Sequence, residues 1–237
     1  MSDNERDDLR KTDEDTGVKL RILYDSDAES PVADDESVIL AIFARNHINP
    51  AQKQLPTVEM ALDFVAANRD PDSEYAVFAV WAYEHGNIVF KAVELGAGNP
   101  YADEWDSGNA GIIALKRTDF GPDLLDYAKG ICATYTDWCN GEVYGYVVEN
   151  EDGDVVDSCW GYVGDPEDNG ALTEGLSAFE SVVEDARARI ADAAQAEADK
   201  DAAMAELLAA CAPFAEPNDT PASQRLKEAL EEWGRFA

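Results

Sequence analysis

The sequence predicts an α+β protein: a mainly antiparallel sheet flanked by two helices, followed by a C-terminal helical extension. Three observations carry that reading. Short apolar runs come in pairs around Gly-containing links, two stretches show helical periodicity with N-terminal start signals, and from Leu172 onward the apolar residues fall on alternating four- and three-residue steps.

In chain order, residues 1–17 are almost wholly polar and charged, and are expected to form a disordered acidic tail. Val18 to Tyr24 alternates Val18, Leu20, Ile22 and Tyr24 against Lys19, Arg21 and Leu23, which is a strand pattern. An acidic, turn-like stretch from Asp25 to Glu36 follows, and the Ile- and Val-rich run Val38 to Ala44 reads as a strand. Thr57, with Pro56 before it and Glu59 in the first turn, opens a helix with an expected buried stripe of Val58, Ala61, Leu62, Val65 and Ala66. Tyr75 to Tyr83 and Ile88 to Leu95 flank Glu84-His85-Gly86-Asn87 as a hairpin. A Gly-, Asn- and Pro-rich loop over 96–109 leads to a strand at Gly111 to Lys116. Pro122 and Asp123 then open a helix that Asn140-Gly141 closes. The sharpest local signal is Asp152-Gly153 between Glu142–Val148 and Val155–Val163, a type I′ turn dipeptide between two alternating arms. The aromatics Tyr144, Tyr146, Trp160 and Tyr162 on those arms are expected to pack a half-buried sheet rather than to form a recognition face.

The long helix carries Leu172, Leu176, Phe179, Val183, Ala186, Ile190 and Ala193, then charged Glu197 and Lys200, then Met204, Leu207 and Cys211. This heptad-like stripe packs back on its own domain or pairs two copies through Leu172 to Cys211 as a homodimer. Pro213 and Pro217 end it, and Leu226, Leu230 and Trp233 mark a second short helix. The expected organisation is therefore a tail (1–17), an α+β domain (18–170) and a helical extension (171–237).

Composition limits function more than any motif does. Fifty acidic residues against eighteen basic ones give a formal net charge of -32 in 237 residues. Such a surface repels nucleic acid and anionic lipid, and attracts cations and basic proteins. Two explanations fit: a surface dedicated to a basic partner, including imitation of a nucleic acid, or adaptation to a salty cytoplasm. The absence of an 18-residue apolar run argues against a transmembrane helix, and an acidic N-terminus is unlike a secretory signal, so a cytoplasmic protein with no membrane partner is expected.

The carboxylates expected to face a basic partner are Asp25, Asp27, Glu29, Asp34, Asp35 and Glu36 in the first acidic stretch, with Glu149, Glu151, Asp152, Asp154, Asp157, Asp165, Glu167 and Asp168 around the second hairpin. No metal, cofactor or catalytic residue is expected. Cys132, Cys139, Cys159 and Cys211 form no C-x-x-C pair, and only His47 and His85 could join them on zinc; Cys132 and Cys139 are expected to share a buried helix face. Asp152-Gly153-Asp154 with Asp157 lacks the spacing of a calcium loop. Asp25-x-Asp27 after a strand, with Gly164 to Asp168 late in the chain, resembles the phosphoryl-acceptor and magnesium motifs of haloacid-dehalogenase-like phosphatases. That keeps a magnesium-dependent phosphohydrolase as an alternative, although Glu29 stands where that family has Thr or Val.

Asp25-Ser26-Asp27-Ala28-Glu29-Ser30-Pro31, Trp105-Asp106-Ser107-Gly108, and Gly141 to Val147 continuing to Asp157-Ser158-Cys159-Trp160-Gly161-Tyr162 together resemble a family of uncharacterised proteins carried by bacteriophages and other mobile elements, over about residues 20–165. The resemblance implies a mobile-element setting and no catalytic residue. By analogy with acidic DNA mimics in counter-defence systems, it points to a host nucleic-acid-binding or defence protein as the partner.

Overall fold

The structure is a computed structural model that describes residues 8–32, 35–45, 47–211 and 224–225. It is α+β, and the elements bounded among the described residues are eight antiparallel strands and three helices. The strands divide into two sheets rather than one. Sheet A has the order β1 (Asp8–Thr12), β2 (Lys19–Tyr24), β7 (Val143–Glu149), β8 (Val155–Val163). Sheet B has the order β3 (Val38–Ile42), β6 (Ser107–Lys116), β4 (Tyr75–His85), β5 (Asn87–Val93). Sheet A is thus built from the two ends of the α+β region and sheet B from its middle.

Sheet B is buried on both faces, which is why all five residues of β3 are buried and its sequence reads as an unbroken apolar run. One face (Leu40, Phe78, Val80, Phe90, Ile113, Leu115) packs on α2 (Leu124–Cys139) through Ala128, Cys132 and Tyr135. The other (Ile39, Ala41, Val77, Ile112, Ala114) packs on α1 (Val58–Ala67). Thr57 caps α1 by accepting the Met60 N–H. The buried side of α1 is Ala61 with Phe64 and Val65; of the other residues expected inside, Leu62 is 63% exposed, and Val58 and Ala66 are exposed as well. Phe64 wins the inward position because it meets Tyr75, with ring centroids 5.4 Å apart. Strand β6 starts at Ser107, inside the expected loop, because long β4 supplies partners for Ser107, Gly108 and Asn109 at Tyr83, Ala82 and Trp81.

Both outer edges of sheet B are occupied by the chain itself. Along β3, the Leu40 carbonyl accepts from Ala51 N–H, and the Ile42 N–H donates to the buried Asn49 side chain. Along β5, Asn140 bonds both the N–H and the carbonyl of Ile88, and the Phe90 N–H donates to Thr136 Oγ1. These polar residues of a loop and of α2 do the work that a further strand would do.

Sheet A is covered differently. Leu20 and Tyr146 face the first turns of α3 (Ala171–Cys211), where Gly175 comes so close that a Cβ there would sit 2.9 Å from Tyr146 Cβ. Ala171 and Phe179 are buried in the same segment, and Lys11 lies 4.9 Å from the centre of the Phe179 ring. At the β8 edge, every residue from Val155 to Gly161 is exposed. A β-bulge opposite Tyr144–Tyr146 places Trp160 across Gly145, at the one position where the strand has no side chain to obstruct it.

Two expectations of organisation change. Residues 8–12, expected in a disordered tail, form β1, because the Asp13–Gly17 turn lets that segment pair with β2 despite its charge. The compact α+β unit runs to Glu180 rather than 170, since the start of α3 supplies the cover of sheet A. The second unit begins at Ser181; within it α3 is exposed at almost every position to Ala210, including Ile190 and Leu207 of the apolar stripe. The expected short helix with Leu226, Leu230 and Trp233 lies outside the described residues.

Candidate partner-binding surface

The register of sheet A decides where its carboxylates go. Strands β1 and β2 are joined by Asp13-Glu14-Asp15-Thr16-Gly17, and β7 and β8 by Asn150-Glu151-Asp152-Gly153-Asp154. Because Lys19 pairs with Glu149, both turns lie at the same end of the sheet. They touch: a Cβ on Gly17, whose φ is +70°, would stand 2.8 Å from Glu151 Cβ.

Each turn is held by its own short-range bonds. Asp13 accepts from the Thr16 N–H and hydroxyl, and Gly17 N–H closes on the Asp13 carbonyl at 2.8 Å. Asn150 Oδ1 accepts from the N–H groups of Asp152 and Asp154 at 3.0 and 2.8 Å. The result is a preorganised acidic end comprising Asp13, Glu14, Asp15, Glu151, Asp152 and Asp154, with Lys19 among the cations that border it. Glu14, Asp15, Glu151, Asp152 and Asp154 are exposed.

The fourteen carboxylates expected from sequence do not form one surface. Glu151, Asp152 and Asp154 lie at the acidic end just described. Glu149 is beside them but is partly buried and bonded to Arg21 Nε at 3.1 Å, so its charge is already answered. Asp25, Asp27, Asp165, Glu167 and Asp168 gather at the opposite end, where Asp25 N–H bonds the Val143 carbonyl and Gly164 N–H bonds the Glu142 carbonyl, while exposed Glu29 follows Ala28, where the chain turns towards sheet B. Asp157 projects from the middle of β8 and is exposed. Asp35 and Glu36 leave sheet A altogether, because buried Val32 belongs to the core of sheet B and Trp138 Nε1 holds the Ala28 carbonyl at 3.1 Å. Asp34 lies outside the described residues.

Sequence reasoning missed Asp13, Glu14 and Asp15, assigned to the tail. The signal for them was Asp13-x-x-Thr16-Gly17 directly before a strand, a turn pattern as good as the one at Asp152-Gly153.

The two acidic ends stand about 17 Å apart along six-residue β2, roughly half a turn of duplex DNA. At the second end, the Asp137 carboxyl is raised above its usual range, first by burial and then by the Glu142 charge. Glu142 also accepts from the Tyr144 hydroxyl at 2.6 Å.

The remaining chemistry-bearing residues are accounted for by packing. Cys132 is fully buried, its thiol pushed up to about 12 by burial, and Cys139 packs against the same core. Cys159 is exposed, and all four cysteines are free. His85 Nδ1 meets Asp106 at 2.8 Å, and His47 Nε2 lies 3.7 Å from Glu84. Among the described residues, no group of three or more His, Cys, Asp or Glu side chains is arranged to hold a metal ion. Asp25 and Asp165 do end at the same side of sheet A, but every pairing in that sheet is antiparallel. The aromatics of the second hairpin divide: Tyr146 is buried, Tyr144 and Tyr162 are half-buried, and Trp160 is 44% exposed. No described helix is long and apolar enough to cross a membrane.

Compared with family models, curated proteins and solved structures, the chain gives no match.

Proposed function

We propose that the protein is a non-enzymatic binding protein whose acidic sheet end engages a cationic surface of another protein, a host nucleic-acid-binding or defence protein being the class with that character. The supporting observation is the contact between two independently braced acidic turns, which fixes carboxylates in place before a partner arrives. Fixed charges of one sign raise the encounter rate with a basic partner and compete with phosphate for it. The reading includes a cytoplasmic setting and fits the resemblance to mobile-element proteins.

The test is binding to a panel of nucleic-acid-binding proteins, with duplex DNA as competitor and oligolysine as the non-specific control. The triple variant Glu14→Lys, Glu151→Lys, Asp152→Lys is expected to weaken a DNA-competed interaction about tenfold or more. The triple variant Asp63→Lys, Asp70→Lys, Asp72→Lys, at exposed positions of α1 and the turn after it, is expected to leave it within about twofold. Equal losses from both sets would overturn the site.

A second reading, salt adaptation, is favoured by one observation: exposed carboxylates also cover regions remote from the turns, among them Asp63, Asp70, Asp72, Glu94, Glu104, Glu184, Asp192 and Glu197. Unfolding midpoints in about 0.1 M and about 2 M KCl separate the two, because screening shortens from about 10 Å to under 3 Å. Folding only at high salt supports adaptation; a stable fold at low salt supports the partner.

A further inference from the structure

A groove of about 1020 Å³ lies at one end of sheet B, far in sequence from the acidic turns. Its origin is a mismatch of strand lengths. β5 ends where Val93 pairs with Ala79, so Tyr75 to Phe78 of β4 have no partner on that side. The end of α1 (Val65, Asn68, Arg69) closes the groove on one face, and Pro122 with the first turn of α2 closes it on the other.

Two arginines line this space. In a chain with 50 acidic and 18 basic residues, arginines ordinarily find carboxylates. Neither Arg69 nor Arg117 does: among the described residues, their side chains form no ion pair or hydrogen bond. Arg117 Nε is buried with no partner, although the residue's backbone N–H is bonded to the Glu74 carbonyl. Protein encloses Nε and so fixes the guanidinium plane, which leaves the terminal N–H groups of Arg117 as the donors that an oxyanion in the groove can use. Asp123, the N-cap of α2, makes no side-chain cap bond, and the Asp126 and Tyr127 N–H groups bond its carbonyl, so the Leu124 and Leu125 N–H groups add a second set of donors at the same wall. The other charges lining the groove are Glu94, Asp123 and Asp126, and Asp126 is bonded to Lys129 at 2.8 Å. Phe78, Leu95 and Leu124 supply apolar wall.

We propose that this groove is a binding site for a small organic anion, its oxyanion head between Arg69 and Arg117 and its apolar body against Phe78, Leu95 and Leu124. Planar guanidinium groups accept phosphate and carboxylate heads alike. The site therefore calls for an anion with a hydrophobic body, its head held at the two guanidinium groups and away from Glu94, Asp123 and Asp126.

The experiment is a titration of the full chain with phenyl phosphate and, separately, with benzoate, followed by the Arg117 Nε–H and Leu124–Asp126 amide resonances. Saturable shifts confined to this groove are expected from at least one probe, and the stronger of the two identifies the head. Arg117→Lys, which keeps the charge but loses the fork, and exposed Arg69→Gln are each expected to weaken binding about tenfold. The acidic-turn triple variant is expected to leave the affinity unchanged. No saturable shift from either probe up to about 10 mM overturns the proposal. So does binding that both arginine variants leave intact, and Arg69→Gln decides the matter if Arg117→Lys perturbs the fold.

Discussion

Sheet B has α1 on one face, α2 on the other, and both edges bonded to side chains or loops of the same chain. Sheet A has the start of α3 over Leu20 and Tyr146, a run of exposed residues along β8, and acidic turns at both ends. The two sheets have the same number of strands and the same antiparallel pairing, so pairing alone does not explain the difference. Composition does: β3, β4 and β6 are apolar on both faces, whereas β8 carries Asp157 and Ser158 and turns its apolar residues outward. One sheet supplies the stability that lets the other remain open, and the open sheet is the one with the charged display.

The largest effect that sharpens this contrast is expected in the core of sheet B. Leu40→Ala, at a position 2% exposed, is expected to cost about 2–5 kcal/mol in urea unfolding. Val155→Thr on exposed β8 is expected to stay within about 0.5 kcal/mol. Similar losses at the two positions would break the comparison.

Next comes the single covered face of sheet A. Gly175→Ala adds a methyl 2.9 Å from Tyr146 Cβ, in a helix where alanine is otherwise the better residue. A loss of about 1–3 kcal/mol, with altered Tyr146 and Tyr162 ring resonances, is expected. A gain in stability would show that α3 does not seat on the sheet as described.

The sealed β5 edge should matter somewhat less. Asn140→Ala removes both bonds to Ile88 and leaves its amide without a partner, an expected loss of about 1–2 kcal/mol. Faster hydrogen exchange at the Ile88 amide checks that the edge has opened.

The smallest effect is electrostatic. The folded state raises the Asp137 carboxyl above its unfolded value, so it binds more protons than the unfolded chain within that window. Ionised Asp137 therefore destabilises the fold at neutral pH, and the penalty disappears as pH falls through the raised value. Asp137→Asn is expected to raise Tm slightly at pH 7, with the difference vanishing below about pH 3.8. A difference independent of pH would refute the assignment.

Much of the fold was legible because most elements have strong local signals. Val18 to Tyr24 alternates, Asp152-Gly153 specifies its turn, and Thr57 caps its helix. What escaped was decided by distant partners. Asp8–Thr12 has no apolar alternation and becomes a strand only because β2 is there to pair with. Leu62 looks buried on a helical wheel, yet Phe64 meets Tyr75 and turns the helix. Splitting one expected sheet into two could not be read at all, since no local feature of β2 names β7 as its neighbour. For the acidic surface, the residue types were right and their grouping was not. Register sent Asp25 and Asp152 to opposite ends, and Arg21 claimed Glu149.

The pairing of β2 with β7 joins Lys19 to Glu149 and Tyr24 to Tyr144, with all of sheet B lying between them in the chain. During synthesis, sheet B and both of its helices can emerge and pack while β2 still waits. Its distant partner is there only once β7 has left the ribosome. Closing so long a loop is entropically slow, and slower still for an unsupported strand than for one held at the edge of a folded body. Sheet B thus serves as the splint that brings the two halves of sheet A within reach, and the meeting of the two locally formed charged turns comes last, on a molecule that is otherwise already folded.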